Sequence, residues 1–266
     1  MTVGAERAAT ETARRLGPPA ALFVALLFAW ELLVRASGVS PFVLPSPSEV
    51  VVALWDNRAD VIRHATPTLV EAVVGLGVAV ILATAGAVAL DRLAWARRAV
   101  EPLLVGTQTI PIIAIAPLLV VWLGFGLAPK VLVVVLVTFF PITIALLRGF
   151  SSTTPEATEL MRSLGASADQ TFRKVRWPSG LPGFFTGLRI AATYAVVGAI
   201  IGEYVGATEG LGIWMRLSQR LFRTDLVFAA ILVTAALSIA LYGAVVLLER
   251  AAIPWWRSSL MAGKQR

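Results

Sequence analysis

The sequence predicts an all-α, polytopic membrane protein with about six transmembrane helices. Hydrophobic residues fill 58% of the 266 positions and charged residues only 15%, whereas a soluble domain averages roughly 45–50% and about 25%. Apolar runs of about 20 residues, each enough to cross hydrocarbon, recur along almost the whole chain. Cysteine is absent and His64 is the single histidine. Thiolate sites, cysteine nucleophiles and multi-histidine metal centres are therefore excluded, and no metal site is expected. In such a chain a net charge of +7 reads as a topology signal facing membrane lipid, not as a footprint for nucleic acid.

The first span is expected over Pro18–Ala36. Arg14-Arg15 before an apolar run resembles a signal peptide, and Val34-Arg35-Ala36 imitates a cleavage site. The run, however, continues to Trp30, carries Glu31 and precedes five more spans, so an uncleaved first span is the better reading. Between Ser37 and Pro67 lies an external stretch holding Pro41, Pro45, Pro47 and Pro67. Within it, Ser46-Pro47-Ser48-Glu49 reads as a turn feeding a short surface helix, Val50–Trp55.

The remaining spans fall near Thr68–Leu90, Ala99–Leu123, Lys130–Gly149, Gly183–Val205 and Leu226–Glu249. Pro111 and Pro117 interrupt the third and Pro141 the fourth. Their freed carbonyls need partners from neighbouring helices or a water-filled cavity, so these prolines need not end a span. Trp214–Arg220 reads as an amphipathic external helix. With the N-terminus inside, the cytoplasmic segments hold fifteen Arg and Lys residues against six in the external ones, which places both termini in the cytoplasm. The expected organisation is a cytoplasmic tail (1–17), one transmembrane domain (18–249) with a cytoplasmic loop (151–182), and a second cytoplasmic tail (250–266). Internal repeats, which would suggest an inverted-repeat carrier, are not visible.

The loop Ser151–Pro182, about thirty residues, is too long for a simple turn. Thr153 or Thr154 can cap a helix, Pro155 suits its first turn, and Glu156 complements the dipole. Ala157, Leu160, Met161 and Leu164 then form one apolar stripe, and Gly165 suits a left-handed helix end. Ser167-Ala168-Asp169-Gln170 is a capping box opening a second helix, which Pro178 is expected to stop. Two short helices bent at Gly165 offer a soluble partner a knuckle to grip; the plainer reading is a loop packed under the bundle.

Glu159-Leu160-Met161, three residues, Gly165, nine residues, then Val175-Arg176-Trp177-Pro178 resembles the EAA signature of ABC importer permeases. That signature is Glu-Ala-Ala, three residues, Gly, nine residues, Ile-x-Leu-Pro. Glu159, Gly165 and Pro178 match at the expected spacing, while Leu160 and Met161 replace two small alanines with bulkier side chains. Leu181-Pro182, Gly187-Leu188-Arg189-Ile190-Ala191 and Gly210-Leu211-Gly212 also resemble these permeases, and the likeness spans residues 20–255. It lies with the binding-protein-dependent permeases for nitrate, sulfonate, taurine and thiamine precursors. Within that group, Gln108–Leu118 and Trp122-Leu123-Gly124-Phe125-Gly126 look more like the branch importing pyrimidine thiamine precursors or riboflavin than the sulfonate branch.

The resemblance implies a MetI-like permease fold in a bacterial plasma (inner) membrane, working with an external solute-binding protein, a second permease copy or paralogue, and two ABC ATPase subunits. The chain has no Gly-x-x-x-x-Gly-Lys-Ser/Thr cradle, so ATP and Mg belong on the ATPases and no cofactor is expected here. ATPase coupling falls to Glu159, Leu160, Met161, Arg162, Leu164, Gly165, Ala166, Ser167, Asp169, Phe172 and Pro178.

The pathway is expected where polar or kinked backbone enters apolar spans: Gln108, Thr109 and Pro111 on the third, Thr138 and Phe139 on the fourth, Tyr194 on the fifth. Aromatic faces with a few polar groups suit a flat heteroaromatic solute, although Thr and Gln also serve as glue between membrane helices. Glu31, Glu71 and Glu101 read as structural. Arg189 is expected to snorkel to the cytoplasmic boundary, Glu203 to act near the outer gate or a docking surface, and His64 to be solvated. An intramembrane enzyme lacks a nucleophile–base pair, and an ATP-independent channel or carrier leaves the long loop unexplained.

Overall fold

A computed structural model describes residues 2–255, with side chains described from Gly17 onward except Ala94. The expected tail beyond Trp255, with Arg257, Lys264 and Arg266, lies outside the described residues. All regular structure among the described residues is helical. It comprises α1 (Thr2–Ser37), α2 (Pro47–Asp56), α3 (Arg58–Arg92), α4 (Ala94–Thr107), α5 (Ile112–Leu123), α6 (Leu127–Ser151) and α7 (Pro155–Ser163). Then come α8 (Ala168–Thr171), a π-helical turn (Phe172–Arg176), α9 (Trp177–Gly206), α10 (Leu211–Arg220) and α11 (Thr224–Ala252). Five helical stretches among these are long and apolar enough to cross a membrane, and α4 with α5 make a sixth if the bent pair counts as one span.

The third span differs from expectation in being broken outright: its two halves meet at 97°. Pro111 lacks the N–H that would continue the ladder. The Thr107 and Thr109 hydroxyls instead turn back onto Leu104 O and Gly106 O, both at 2.7 Å. Pro117, by contrast, sits inside α5 without ending it. The second span also starts earlier than Thr68, because α3 runs from Arg58 through Pro67. On either side of that proline, the Thr66 hydroxyl donates to Ile62 O at 2.8 Å and the Thr68 hydroxyl lies 3.0 Å from His64 O.

Two compact units are distinguished by their internal contacts: the chain up to Val61 with Met215–Ile231, and Ile62–Trp214 with the chain from Leu232. In the first, α2 starts at Pro47. The segment Ser46–Glu49 is thus its cap and first turn, with Ser46 N donating to Glu49 Oε2 at 2.7 Å and Glu49 N to Ser46 Oγ. Glu31 accepts from Arg35 Nε at 2.6 Å and from Ser48 N at 3.0 Å, the structural role its position suggested.

The core of the second unit is the antiparallel pair α6–α9. Its register can be read from residues that touch: Gly149 lies against Gly180, Ala145 against Gly183, Pro141 against Gly187 and Lys130 against Gly202. Small residues at three- and four-residue spacing let the two backbones approach closely, which is how membrane helices gain packing energy when water supplies none. Ala191, Ala192, Ala195 and Ala199 continue the seam, all fully buried, and Ala72, Ala79 and Ala83 of α3 pack in the same cluster.

Candidate coupling segment and pathway

The segment after α6 folds as its local chemistry dictates. Thr154, not Thr153, caps α7, its hydroxyl accepting from Ala157 N, with Pro155 in the first turn. Gly165 closes the helix at φ +75°, a left-handed conformation that costs other residues energy. Around it Ala166 N donates to Met161 O at 3.0 Å and Gly165 N to Arg162 O at 2.9 Å. Ser167 then opens α8: Gln170 N donates to its hydroxyl, and Ser167 N donates to Gln170 Oε1.

The apolar stripe of α7 divides. Ala157 and Met161 are half-buried, whereas Leu160 and Leu164 remain 61% and 72% exposed. Glu159, Arg162, Ser167 and Asp169 are exposed and Ala166 is half-buried. Phe172 is the anchor. It packs with Phe150 (ring centroids 5.5 Å) and Trp177 (6.3 Å) into a cluster with Ala87, Leu146 and Leu147.

Pro178 does not stop the second helix, contrary to expectation. The chain passes from α8 through the π-helical turn into α9, giving one helical stretch from Ala168 to Gly206. In the wider turn the N–H of Trp177 reaches back to Phe172 O. Pro178 falls in the first turn after it, where a missing N–H is tolerated.

Charged residues tie this segment to the end of α3, among them Asp91, which the sequence reading passed over. Arg176 donates to Asp91 Oδ1 at 2.7 Å, with the Asp91 side chain only 2% exposed. Arg92 reaches Asp169 at 3.4 Å and lies over the Phe172 ring. These groups, with Thr158 and Arg162, line a cavity of about 590 Å³. A charged cluster straddling a span end was the available signal, but spacing alone does not pair Asp91 with a residue so far along the chain.

The expected pathway residues do not share one environment. Gln108 and Thr109 are exposed at the break, and Pro111 is the N-cap position of α5. Tyr194 is 54% exposed and belongs to an open face of α9 with Thr186, Ile190, Thr193 and Val197. Phe139 is half-buried against the core. Thr138 is a correction: it is fully buried and donates its hydroxyl to Val134 O at 2.7 Å, so it serves helix packing.

Glu203 is fully buried and ties three elements together. Thr68 of α3 lies 2.5 Å from its Oε1, and Gly212 N donates to Oε2 at 2.5 Å. Leu211 N donates to the Thr68 hydroxyl at 2.9 Å, and Gly210 N to His64 Nδ1 at 3.1 Å. His64 stacks on Trp214, with centroids 5.8 Å apart and planes 4° from parallel. It is therefore a half-buried latch for the Gly-Leu-Gly turn and not the solvated residue expected. Nearby, Lys130 Nζ lies 2.6 Å from Glu71 Oε1, the side chains 11% and 2% exposed. Arg189 also departs from simple snorkelling, facing Glu249 at 3.4 Å.

Five or six spans, one of them broken, and a close antiparallel helix pair make this chain a polytopic helical membrane protein. The profile of the binding-protein-dependent transport system inner membrane components matches residues 58–253, and the chain belongs to that family. It is the permease subunit of an ABC importer, not an enzyme, and such subunits work with ATPase and binding-protein partners. The formylaminopyrimidine transport permease protein ThiX of Halalkalibacterium halodurans is 40% identical over 89% of this chain and 95% of its own length. The riboflavin transport system permease protein RibX of Chloroflexus aurantiacus is 36% identical over 90% of each. The fold is MetI-like: a chain of the MetNI methionine ABC transporter superposes with a TM-score of 0.63 at 20% identity, covering 75% of this chain and 97% of that one.

Proposed function

We propose that this permease forms the translocation pathway for a pyrimidine thiamine precursor or riboflavin, delivered by an external binding protein. The observation that carries the reading is the similarity, over nine-tenths of the chain, to permeases named for a formylaminopyrimidine and for riboflavin. Two copies, or this chain and a paralogue, sit on two ATPase subunits that hold ATP and Mg. Both termini face the cytoplasm of a bacterial cell across its plasma membrane, with 18–249 as the permease domain between short tails.

The coupling surface is the α7–α8 segment. Leu160 and Leu164 offer exposed apolar contacts, flanked by Glu159, Arg162 and Asp169. Phe172 and the Asp91–Arg176 pair join them to the neighbouring helices, so closure of the ATPases moves the segment as a lever. A switch of this kind needs partners that bind its two states differently, and nucleotide-driven closure of the ATPases supplies that difference. The pathway runs past the break at Gln108–Pro111 and the open face of α9 around Tyr194, with Glu203 fixing the turn at its outer end.

The test is ligand identification on the binding protein that works with this permease, by thermal shift against pyrimidines, flavins and sulfonates. Stabilisation by a pyrimidine or a flavin supports the reading. Stabilisation by taurine, another aliphatic sulfonate or nitrate alone replaces it with import of that anion.

A further inference from the structure

A second cavity, of about 550 Å³, opens between the end of α6, the first half of α9 and the end of α11. Its charged lining consists of Arg189 and Glu249, with Arg189 Nε 3.4 Å from Glu249 Oε2. Arg189 lies near the start of the fifth span, expected from Gly183, and Glu249 at the end of the sixth. Ionisable groups at such positions on membrane helices commonly mark a solute pathway.

Three hydroxyls complete the polar wall, and their hydrogens are already committed. Ser152 donates to Gly149 O at 2.7 Å, Ser179 to Val175 O at 2.8 Å and Thr186 to Pro182 O at 2.8 Å. A hydroxyl has one proton and two lone pairs, so towards the cavity each of these groups is an acceptor. The wall therefore presents several acceptors, one of them a carboxylate, beside a single guanidinium donor. Its formal charge sums to zero. Thr186 continues into the open face of α9 through Ile190, Thr193 and Tyr194.

We infer that this cavity is a transit site for an uncharged heteroaromatic solute, recognised along a ring edge that carries amino or imide N–H groups beside a carbonyl or ring nitrogen. Such an edge donates to Glu249 and the hydroxyls and accepts from Arg189. An alkanesulfonate or nitrate has acceptors only, so it would leave the hydroxyl lone pairs unpaired and meet the Glu249 carboxylate as a like charge. The volume lies within the ordinary range for small-molecule sites. The inference rests on the transport reading above and assigns to the permease a selectivity separate from that of the binding protein.

The experiment uses the assembled importer in lipid nanodiscs, free of nucleotide and of binding protein, with labelled 4-aminopyrimidine, riboflavin and ethanesulfonate as probes. Wild type should prefer the aminopyrimidine or the flavin to ethanesulfonate by about tenfold or more, the scale of one or two well-made hydrogen bonds. Glu249→Gln should narrow that ratio by admitting ethanesulfonate. Thr186→Val should weaken the heterocycle several-fold and leave ethanesulfonate unchanged. If Glu249→Gln fails to assemble, Thr186→Val still reads the ratio, since its hydroxyl bonds only its own helix. A ratio unchanged in both variants, equal wild-type binding of ethanesulfonate and heterocycle, or no saturable binding of any probe overturns the inference. A binding protein that selects a sulfonate would instead count against the substrate reading, and that measurement is independent of this one.

Discussion

Glu203 and Thr68 meet at 2.5 Å although 135 positions separate them, and through them the turn after α9 is fastened to α3. The Thr68 hydroxyl also receives Leu211 N, and the Glu203 carboxyl also receives Gly212 N. Thr68→Val keeps the shape and removes the hydroxyl, leaving Leu211 N–H without its partner. Each buried polar group so stranded costs about 1–3 kcal/mol. Thermal unfolding of the purified importer should show the loss, and Thr66→Val, at an exposed position, should show almost none.

The Glu71–Lys130 pair should behave differently singly and doubly. With both side chains largely out of solvent, Lys130→Met strands a buried carboxylate and should cost about 3–5 kcal/mol. Adding Glu71→Leu removes the stranded charge and should recover most of that loss. A double variant as unstable as the single one would show that the pair matters for more than charge compensation.

Packing between α6 and α9 leaves no room for a side chain at its narrowest points. A Cβ on Gly183 would stand 2.6 Å from Ala145 O, and one on Gly187 2.6 Å from Pro141 O. Because the obstructing atoms are backbone, neither can swing aside. Gly183→Val and Gly187→Val should abolish the monodisperse species on size-exclusion chromatography. Gly77→Ala, with open space around its Cβ, should leave it intact.

The coupling role predicts a separation of assembly from folding. Leu160→Glu and Leu164→Glu change side chains that are mostly exposed, so the permease should reach the membrane at normal levels while copurifying ATPase is lost. Gly165→Val adds about 1–2 kcal/mol of backbone strain at a left-handed position and should abolish uptake at wild-type expression. Retained ATPase binding in both leucine variants would remove the apolar face of α7 from the docking surface.

Features governed by near neighbours were readable from the sequence. Thr154-Pro155, Gly165 and Ser167–Gln170 act as local chemistry says they should, and Pro111 marks a break in the third span. The angle of that break was not readable, since a proline frees a carbonyl without saying where the next helix goes. Pro178 misled because the same residue type ends one helix and begins another; only the π-helical turn before it decides which. His64, Asp91 and Arg176 acquire their roles through partners in distant segments, and a one-dimensional pattern does not show who those partners are. Thr138 resembled a polar lining group until its hydroxyl proved to be satisfied one turn back along its own helix.

The π-helical turn at Phe172–Arg176 makes α8 and α9 a single helical stretch. A π bulge carries one residue more than a regular turn, and one residue corresponds to about 100° of rotation around a helix. The compass bearing of Thr186 and Tyr194 relative to Ser167 is therefore set by that extra residue, and a regular α-helix through the same sequence would aim both side chains elsewhere.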